Sequence, residues 1–65
     1  MPFIHIHWFE GRSPEQKAEL TRRITEAMVE VGKTPLEDVW IRFDDCSKAD
    51  WAIGGDIQAP DAGDK

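Results

Sequence analysis

The segment 3–9 alternates between two sets of side chains, as a β-strand does. Successive side chains of a strand point to opposite faces of the sheet. One set is Ile4, Ile6 and Trp8, and the other is Phe3, His5, His7 and Phe9. Because each set contains large apolar side chains, we expect a strand that is partly buried on both faces.

The next segment carries the signals of an amphipathic helix that begins after Ser13. Ser13 is a preferred N-cap, Pro14 suits the first helical position, and Gln16 is placed to complete a capping box. Apolar residues then recur at helical spacing, at Leu20, Ile24, Ala27, Met28 and Val31. This spacing predicts a helix that runs to about Val31 with one apolar stripe, and Gly32 predicts its end.

A second alternating segment, residues 39–44, predicts another strand, reached through a short connection at 33–38. A strand, a helix and a strand with short joins form a βαβ unit, in which the two strands are parallel. Within the apolar segment 51–57, Gly54-Gly55 predicts a hairpin turn. We therefore predict an α+β fold with two parallel strands, one helix and a C-terminal hairpin. One helix covers only one face of such a sheet, and the other face is available to a second subunit.

The small size of the chain points to oligomerisation. Its 65 residues allow one domain, which we place at 1–57, followed by a flexible polar tail at 58–65. A chain of this length buries only about 60% of its unfolded surface on folding. Such domains usually gain stability from disulfides, a metal or association with other subunits. Cys46 is the only cysteine, so a disulfide within the chain is excluded.

Charge and cysteine content narrow the classes of partner. The net charge of −5 argues against nucleic acid or an anionic membrane surface as the main partner. No stretch approaches the roughly 18 apolar residues of a membrane span. A single free thiol and the lack of an apolar signal segment predict a reducing, cytoplasmic location.

Pro2 is the main candidate for chemistry. If the initiator Met1 is trimmed, the chain starts with the secondary amine of Pro2, whose ring and following strand fix the direction of the nitrogen lone pair. An α-amino group titrates near pH ~8, and burial or a nearby cation lowers its pKa, so it can act as a base at neutral pH. Arg12 is the natural partner, because a guanidinium grips a carboxylate with two parallel hydrogen bonds.

These features together resemble the 4-oxalocrotonate tautomerase family over residues 2–57. The resemblance rests on Pro2, the E-G-R-S-P-E-Q-K block at 10–17 and the W-A-I-G-G segment at 51–55. It implies a β-α-β subunit assembled as a homohexamer, with no metal or organic cofactor. It also implies enol–keto isomerisation of a small 2-hydroxymuconate-type acid, with the Pro2 amine as general base.

The resemblance assigns roles to individual residues. Pro2 matches the family's catalytic proline, Arg12 matches the arginine that binds a substrate carboxylate, and Trp51 falls where an aromatic side chain makes the pocket apolar. The family's best-studied members have a second arginine in the second strand, but here that position is Trp40. Arg42 lies two residues further on the same strand face and is the candidate to replace it from a shifted position.

The sequence leaves two other functions open. The chain could be a divergent family member that uses the same proline for hydration or dehalogenation of a related acid. It could also be a catalytically silent, oligomeric binding protein, which Trp40 in place of the second arginine favours.

Two further kinds of site are not predicted. His5 and His7 share a strand face, but the sequence shows no third ligand for a metal site. Cys46 has no base placed near it by the sequence, so we expect an inert thiol.

Overall fold

The computed structural model describes residues 2–58 and has the predicted α+β, β-α-β layout. Apart from Gln58, the predicted tail at 58–65 lies outside the described residues. The strands are β1 (Phe3–Phe9), β2 (Trp40–Cys46), β3 (Ala52–Ile53) and β4 (Asp56–Ile57). The helix α1 spans Pro14–Glu30, and single 3₁₀ turns lie at Leu36–Asp38 and Lys48–Asp50.

β1 and β2 form a parallel pair whose register runs from Phe3 opposite Trp40 to Phe9 opposite Cys46. β2 begins one residue later and ends two residues later than the alternation at 39–44 predicts. The extension occurs because the backbone pairing continues past the alternating segment, where the Glu10 amide donates to the carbonyl of Cys46 over 2.9 Å. Backbone hydrogen bonds do not require alternating side chains.

The start of α1 is fixed by the predicted capping box. The Gln16 amide donates to Ser13 Oγ over 3.1 Å, and the Ser13 amide donates to Gln16 Oε1 over 2.9 Å. These contacts satisfy two amides that have no partner within the helix. The turn at Gly11, which has φ 128°, therefore leads from β1 directly into a capped helix.

Gly32 follows the end of α1, but for a different reason from the one predicted. The residue with a left-handed backbone is Lys33, at φ 57°, and not Gly32. A Cβ on Gly32 would lie 2.7 Å from the carbonyl oxygen of Met28. Glycine is thus favoured at position 32 because the Met28 carbonyl in the last turn of α1 leaves no room for a side chain.

The apolar stripe of α1 is narrower than its sequence predicts. The half-buried apolar positions of the predicted stripe are Leu20, Ile24 and Met28. Ala27 is exposed and Val31 is 81% exposed, whereas Thr21 and Thr25 are half-buried. A sheet of only two strands supports a narrow strip of helix surface, because neighbouring strands lie about 4.8 Å apart. In the described part of the chain, no helix is both long and apolar enough to cross a membrane.

The hairpin predicted at Gly54-Gly55 is present. β3 and β4 are antiparallel, and the two glycines between them have φ of 60° and 90°. Two consecutive positive φ values are typical of the type I′ turn that closes two-residue hairpins. The Gln58 amide donates to the carbonyl of Trp51 over 2.8 Å and ties the end of the hairpin back to its start.

The single chain leaves one face of its sheet uncovered. The face with Trp8 and Phe43 lies toward α1, since the Lys17 ammonium sits 6.0 Å from the Phe43 ring centroid. On the opposite face, Phe3 is 58% exposed and its register neighbour Trp40 is 52% exposed. None of residues 2–58 is fully buried. In the chain alone, the expected partial burial of both faces of β1 is found on the face toward α1 and at Phe9, whereas Phe3, His5 and His7 on the other face are exposed because one helix covers only one face.

Candidate active site

Pro2 lies at the entrance to β1 and is held there by β2. It is half-buried, and its carbonyl oxygen accepts a hydrogen bond of 3.1 Å from the Trp40 amide. The next residue, Phe3, is the register partner of Trp40. Trp40 is therefore the predicted site residue that the fold places beside Pro2.

Arg12 lies at the other end of β1, where its guanidinium has a defined position. Its Nη1 donates to the carbonyl of Phe9 over 2.8 Å, and its Cζ lies 4.5 Å from the centroid of the Trp8 ring. A guanidinium stacked on an aromatic face is attracted by the ring quadrupole. The backbone and the indole together orient the planar fork of Arg12.

Arg12 differs from the arginines of α1 in its electrostatic partners. Arg22 pairs with Glu19 and Glu26, and Arg23 pairs with Glu19. Hydrogen bonds from Arg22 and then from Arg23 lower the pKa of Glu19 to about 2. By contrast, no carboxylate among residues 2–58 lies within ion-pair distance of Arg12. The Arg12 guanidinium thus makes no ion pair within the described part of the chain, although its charge contributes to the lowered pKa of Asp45.

Trp8 is a supporting residue that the sequence did not reveal. Its ring stacks on the Phe43 ring with 5.3 Å between the ring centroids, and its indole N–H donates to the Asp45 carboxylate. Lys17 donates to the same carboxylate, and the hydrogen bonds from Lys17 and then Trp8 lower the pKa of Asp45. The Trp8 ring, on which the Arg12 guanidinium stacks, is therefore held in position by residues of β2 and α1. Only the register of β1 and β2 makes Trp8 and Asp45 neighbours, so local sequence carries no signal for this support.

Trp51 lies at the same end of β1 as Arg12. Its ring meets the Phe9 ring edge-on, with centroids 4.6 Å apart, and the Lys48 ammonium lies 5.4 Å from the Phe9 centroid. Arg12 contacts the Phe9 carbonyl and Trp51 contacts the Phe9 ring. The structure thus brings both residues to one strand end.

Pro2 and Arg12 do not meet within one chain. β1 has seven residues, and a strand rises about 3.3 Å per residue, so its two ends are about 20 Å apart. An arginine side chain does not span that distance. A surface groove between β1 and α1 is lined by Trp8, Arg12 and Leu20 with charged residues of the helix, and Pro2 is not among its lining residues.

Arg42 occupies the middle of the uncovered sheet face, between the two ends. It is the register partner of His5 and lies two residues along β2 from Trp40, a distance of about 7 Å. The nearby Asp44 contacts His5 and His7, and in the described ranges no ion pair joins it to Arg42. The side chain of Arg42 is exposed.

Cys46 agrees with the inert thiol that we expect from the sequence. It is half-buried at the end of β2, and its Sγ lies 3.6 Å from the carbonyl oxygen of Asp44. Burial, followed by the negative charges of Asp44, Asp50 and Asp45, raises the pKa of the thiol. Cys46 is therefore protonated at neutral pH and weakly nucleophilic.

The chain is a single β-α-β unit with a C-terminal hairpin, and comparison with known proteins identifies its family. A family model described as "Tautomerase enzyme" matches residues 2–59. A "Probable tautomerase" of Streptococcus agalactiae is 38% identical over 58 residues, which cover 89% of this chain and 97% of the relative. A "Probable tautomerase" of Streptococcus thermophilus is 40% identical over 58 residues, with 89% and 95% covered. The chain belongs to the tautomerase family.

Two solved structures support the same assignment. A 4-oxalocrotonate tautomerase homologue is 33% identical and superposes with a TM-score of 0.85, covering 97% of this chain and 100% of the other. A heterohexameric 4-oxalocrotonate tautomerase from Chloroflexus aurantiacus is 36% identical with a TM-score of 0.80, covering 91% of this chain and 95% of the other. The resemblance seen in the sequence is confirmed at the level of family and fold.

Proposed function

We propose that the protein is a cofactor-independent tautomerase that interconverts the enol and keto forms of a small unsaturated 2-hydroxy or 2-oxo acid. The Pro2 amine, exposed by removal of Met1, is the general base. Arg12 binds a carboxylate of the substrate, and Trp51 forms an apolar wall. Arg42 replaces the second arginine from a shifted position, and Trp40 forms a wall of the pocket beside Pro2.

The chemistry of the reaction explains why these groups suit it. Isomerisation removes a proton from one atom of the substrate and returns it to another, while negative charge spreads over the oxygens. A base with a pKa near neutrality performs both transfers. A nearby cation and an apolar wall lower the pKa of an N-terminal amine toward that range. Guanidinium groups stabilise the charge that develops on the oxygens.

The proposed site is built from two copies of the chain. Pro2 and Arg12 lie at opposite ends of β1, and these ends are about 20 Å apart in one copy. If two copies associate about a two-fold axis perpendicular to β1, their strands run antiparallel, and the start of each strand lies near the end of the other. This arrangement brings Pro2 of one copy toward Arg12 and Trp51 of another. The uncovered apolar pair Phe3 and Trp40 supports such an association.

The proposal rests mainly on the orientation of the Arg12 guanidinium and on its lack of an ion-pair partner within the described residues. This guanidinium is oriented by the Phe9 carbonyl and the Trp8 ring, yet it has no carboxylate partner among residues 2–58. An oriented guanidinium that makes no ion pair with a carboxylate of residues 2–58 matches a substrate carboxylate in charge and geometry. The family match over residues 2–59 supports the same type of reaction.

Replacing Arg12 tests this role directly. Hydrogen bonds to a charged group contribute about 1.5–3 kcal/mol, and each 1.4 kcal/mol corresponds to about a tenfold change in affinity. We therefore expect Arg12→Ala to raise KM for 2-hydroxymuconate by about 10- to 100-fold, with a smaller effect for Arg12→Lys, which keeps the charge but loses the fork. Steady-state kinetics at constant ionic strength measure both. Arg22→Ala removes an exposed arginine of α1 that does not line the groove containing Arg12 and serves as the matched control; equal losses in Arg12→Ala and Arg22→Ala would contradict the proposal.

A related activity is the second candidate, and Trp40 is the observation that favours it. An indole beside Pro2 stabilises a developing enolate less than a guanidinium does, so the preferred substrate can differ from 2-hydroxymuconate. A panel of 2-hydroxymuconate, phenylenolpyruvate and a 3-haloacrylate separates the two. Faster turnover of the haloacrylate than of both enols would assign hydration or dehalogenation to the same proline.

A further inference from the structure

The uncovered face of the sheet holds a cluster of three metal-ligating side chains that the proposed reaction does not use. His5 and His7 are two residues apart on β1 and therefore point to the same face. Asp44 is the register partner of His7 on β2. Asp44 Oδ2 lies 3.2 Å from His7 Nδ1 and 3.8 Å from His5 Nε2.

The three ligand atoms have a spacing close to that of a metal site. One nitrogen from each histidine and one oxygen from Asp44 all lie within 4.8 Å of one another. A tetrahedral zinc ion binds nitrogen and carboxylate oxygen at about 2.0–2.2 Å, which places neighbouring ligand atoms about 3.4 Å apart. Small rotations of the two imidazole rings, whose centroids are now 4.0 Å apart, would close the remaining gap.

We propose that His5, His7 and Asp44 bind a divalent transition-metal ion of the zinc class on the uncovered sheet face. Two imidazoles and one carboxylate are a ligand set that suits such ions. The fourth position of a tetrahedral site is taken by water or by a group from a second copy. The ion connects β1 to β2 through side chains, in addition to the backbone hydrogen bonds of the sheet.

A metal ion that joins β1 to β2 would stabilise a chain that has little buried core. None of residues 2–58 is fully buried in the single chain, and small domains with little core commonly rely on a metal or on association for stability. Ligands held in the folded chain bind the metal better than dispersed ligands do, so metal binding stabilises the fold. The site would therefore act on stability and assembly, and it does not depend on the Pro2 amine.

Metal titration of the full-length protein tests the proposal. After treatment with a chelator and desalting, we expect Zn²⁺ to bind with one ion per chain in isothermal titration calorimetry and to raise the thermal midpoint. We expect Co²⁺ at the same site to give visible d–d absorption bands. His7→Ala and Asp44→Asn should each weaken Zn²⁺ binding by at least about tenfold, since even changes to groups that only support a metal ligand cost that much.

Matched variants separate this site from other sources of binding. Cys46→Ser removes the thiol, and Asp45→Asn removes a carboxylate on the opposite face of β2; both should still bind one ion per chain. Circular dichroism of each variant without metal establishes that it is folded. Pro2→Ala should also bind Zn²⁺ normally, so failure of the proposed reaction leaves this inference intact. Absence of saturable binding, or binding that is lost in Cys46→Ser but kept in folded His7→Ala and Asp44→Asn, would overturn it.

Discussion

Replacing Pro2 with alanine should lower kcat/KM for enol–keto conversion by about 100-fold or more, which is the contribution typical of a positioned general base. Alanine keeps an amine at the N-terminus, but it is a primary amine without the ring that fixes the direction of the lone pair. Retention of Met1 should be more damaging, because it converts the Pro2 nitrogen into an amide that has no basic lone pair. Steady-state kinetics with 2-hydroxymuconate and phenylenolpyruvate measure both effects.

Two controls make this experiment decisive. Intact mass must show that Met1 is absent from the wild-type protein and from Pro2→Ala, so that each has the expected terminal amine. Size-exclusion chromatography with light scattering must show the same assembly for all variants, because a loss of assembly would remove a site built from two copies. Unchanged turnover in a correctly processed and assembled Pro2→Ala variant would rule out the proline as the base.

A charge at position 40 should weaken the association of subunits through the uncovered face of the sheet. Trp40 is 52% exposed in the single chain and adjoins Phe3, which is 58% exposed. Removing a large aromatic side chain from a packed contact costs about 3 kcal/mol or more, which corresponds to at least about 100-fold weaker association. We expect Trp40→Glu to shift the protein toward monomers and to lower its thermal midpoint. Analytical ultracentrifugation over a range of concentrations measures the shift.

The matched control introduces the same charge at an exposed position of α1, where we expect no effect on assembly. Ala27 is exposed on α1, next to the glutamate and arginine side chains that pair along that helix. Ala27→Glu should therefore leave assembly and activity close to wild type. If Trp40→Glu assembles as well as Ala27→Glu does, the face that contains Phe3 and Trp40 is not the subunit contact, and the two-copy site would need another geometry.

The two predictions also separate chemistry from assembly. Pro2→Ala should lose turnover and keep its oligomeric state, whereas Trp40→Glu should lose both. A variant that loses turnover and keeps assembly locates the defect in the chemical groups themselves. If both variants instead lost assembly to the same extent, the start of β1 would be primarily structural, and the role assigned to the Pro2 amine would not be supported.

Several features of the fold were predictable because they depend on short-range physics. The capping box at Ser13 and Gln16 and the two-glycine turn at 54–55 are encoded in a few adjacent residues, and the structure has both. The alternation at 3–9 gave the bounds of β1 correctly. The stripe of α1 was less accurate, because Val31 is apolar yet nothing in a two-stranded sheet lies opposite it.

The arrangement of the candidate site was only partly predictable. The sequence drew attention to Pro2, Arg12 and Trp51, but it could not place them relative to one another. The fold brings Arg12 and Trp51 to the Phe9 end of β1 and leaves Pro2 at the opposite end. Trp8 as the support of Arg12 was missed, because the contact depends on how the turn at Gly11 returns the guanidinium over the strand.

By itself, the sequence determined the order of the elements, the start of the helix, the hairpin turn and the family, because local propensity and short motifs specify each of these. Only the tertiary structure decided which residues face each other across β1 and β2. That register places Asp44 against His5 and His7, and Asp45 against Trp8. It also leaves Phe3 and Trp40 together on an uncovered face. Pairing between strands is a long-range property, since more than thirty residues separate the partners along the chain, as in Trp8 and Asp45 with a separation of 37.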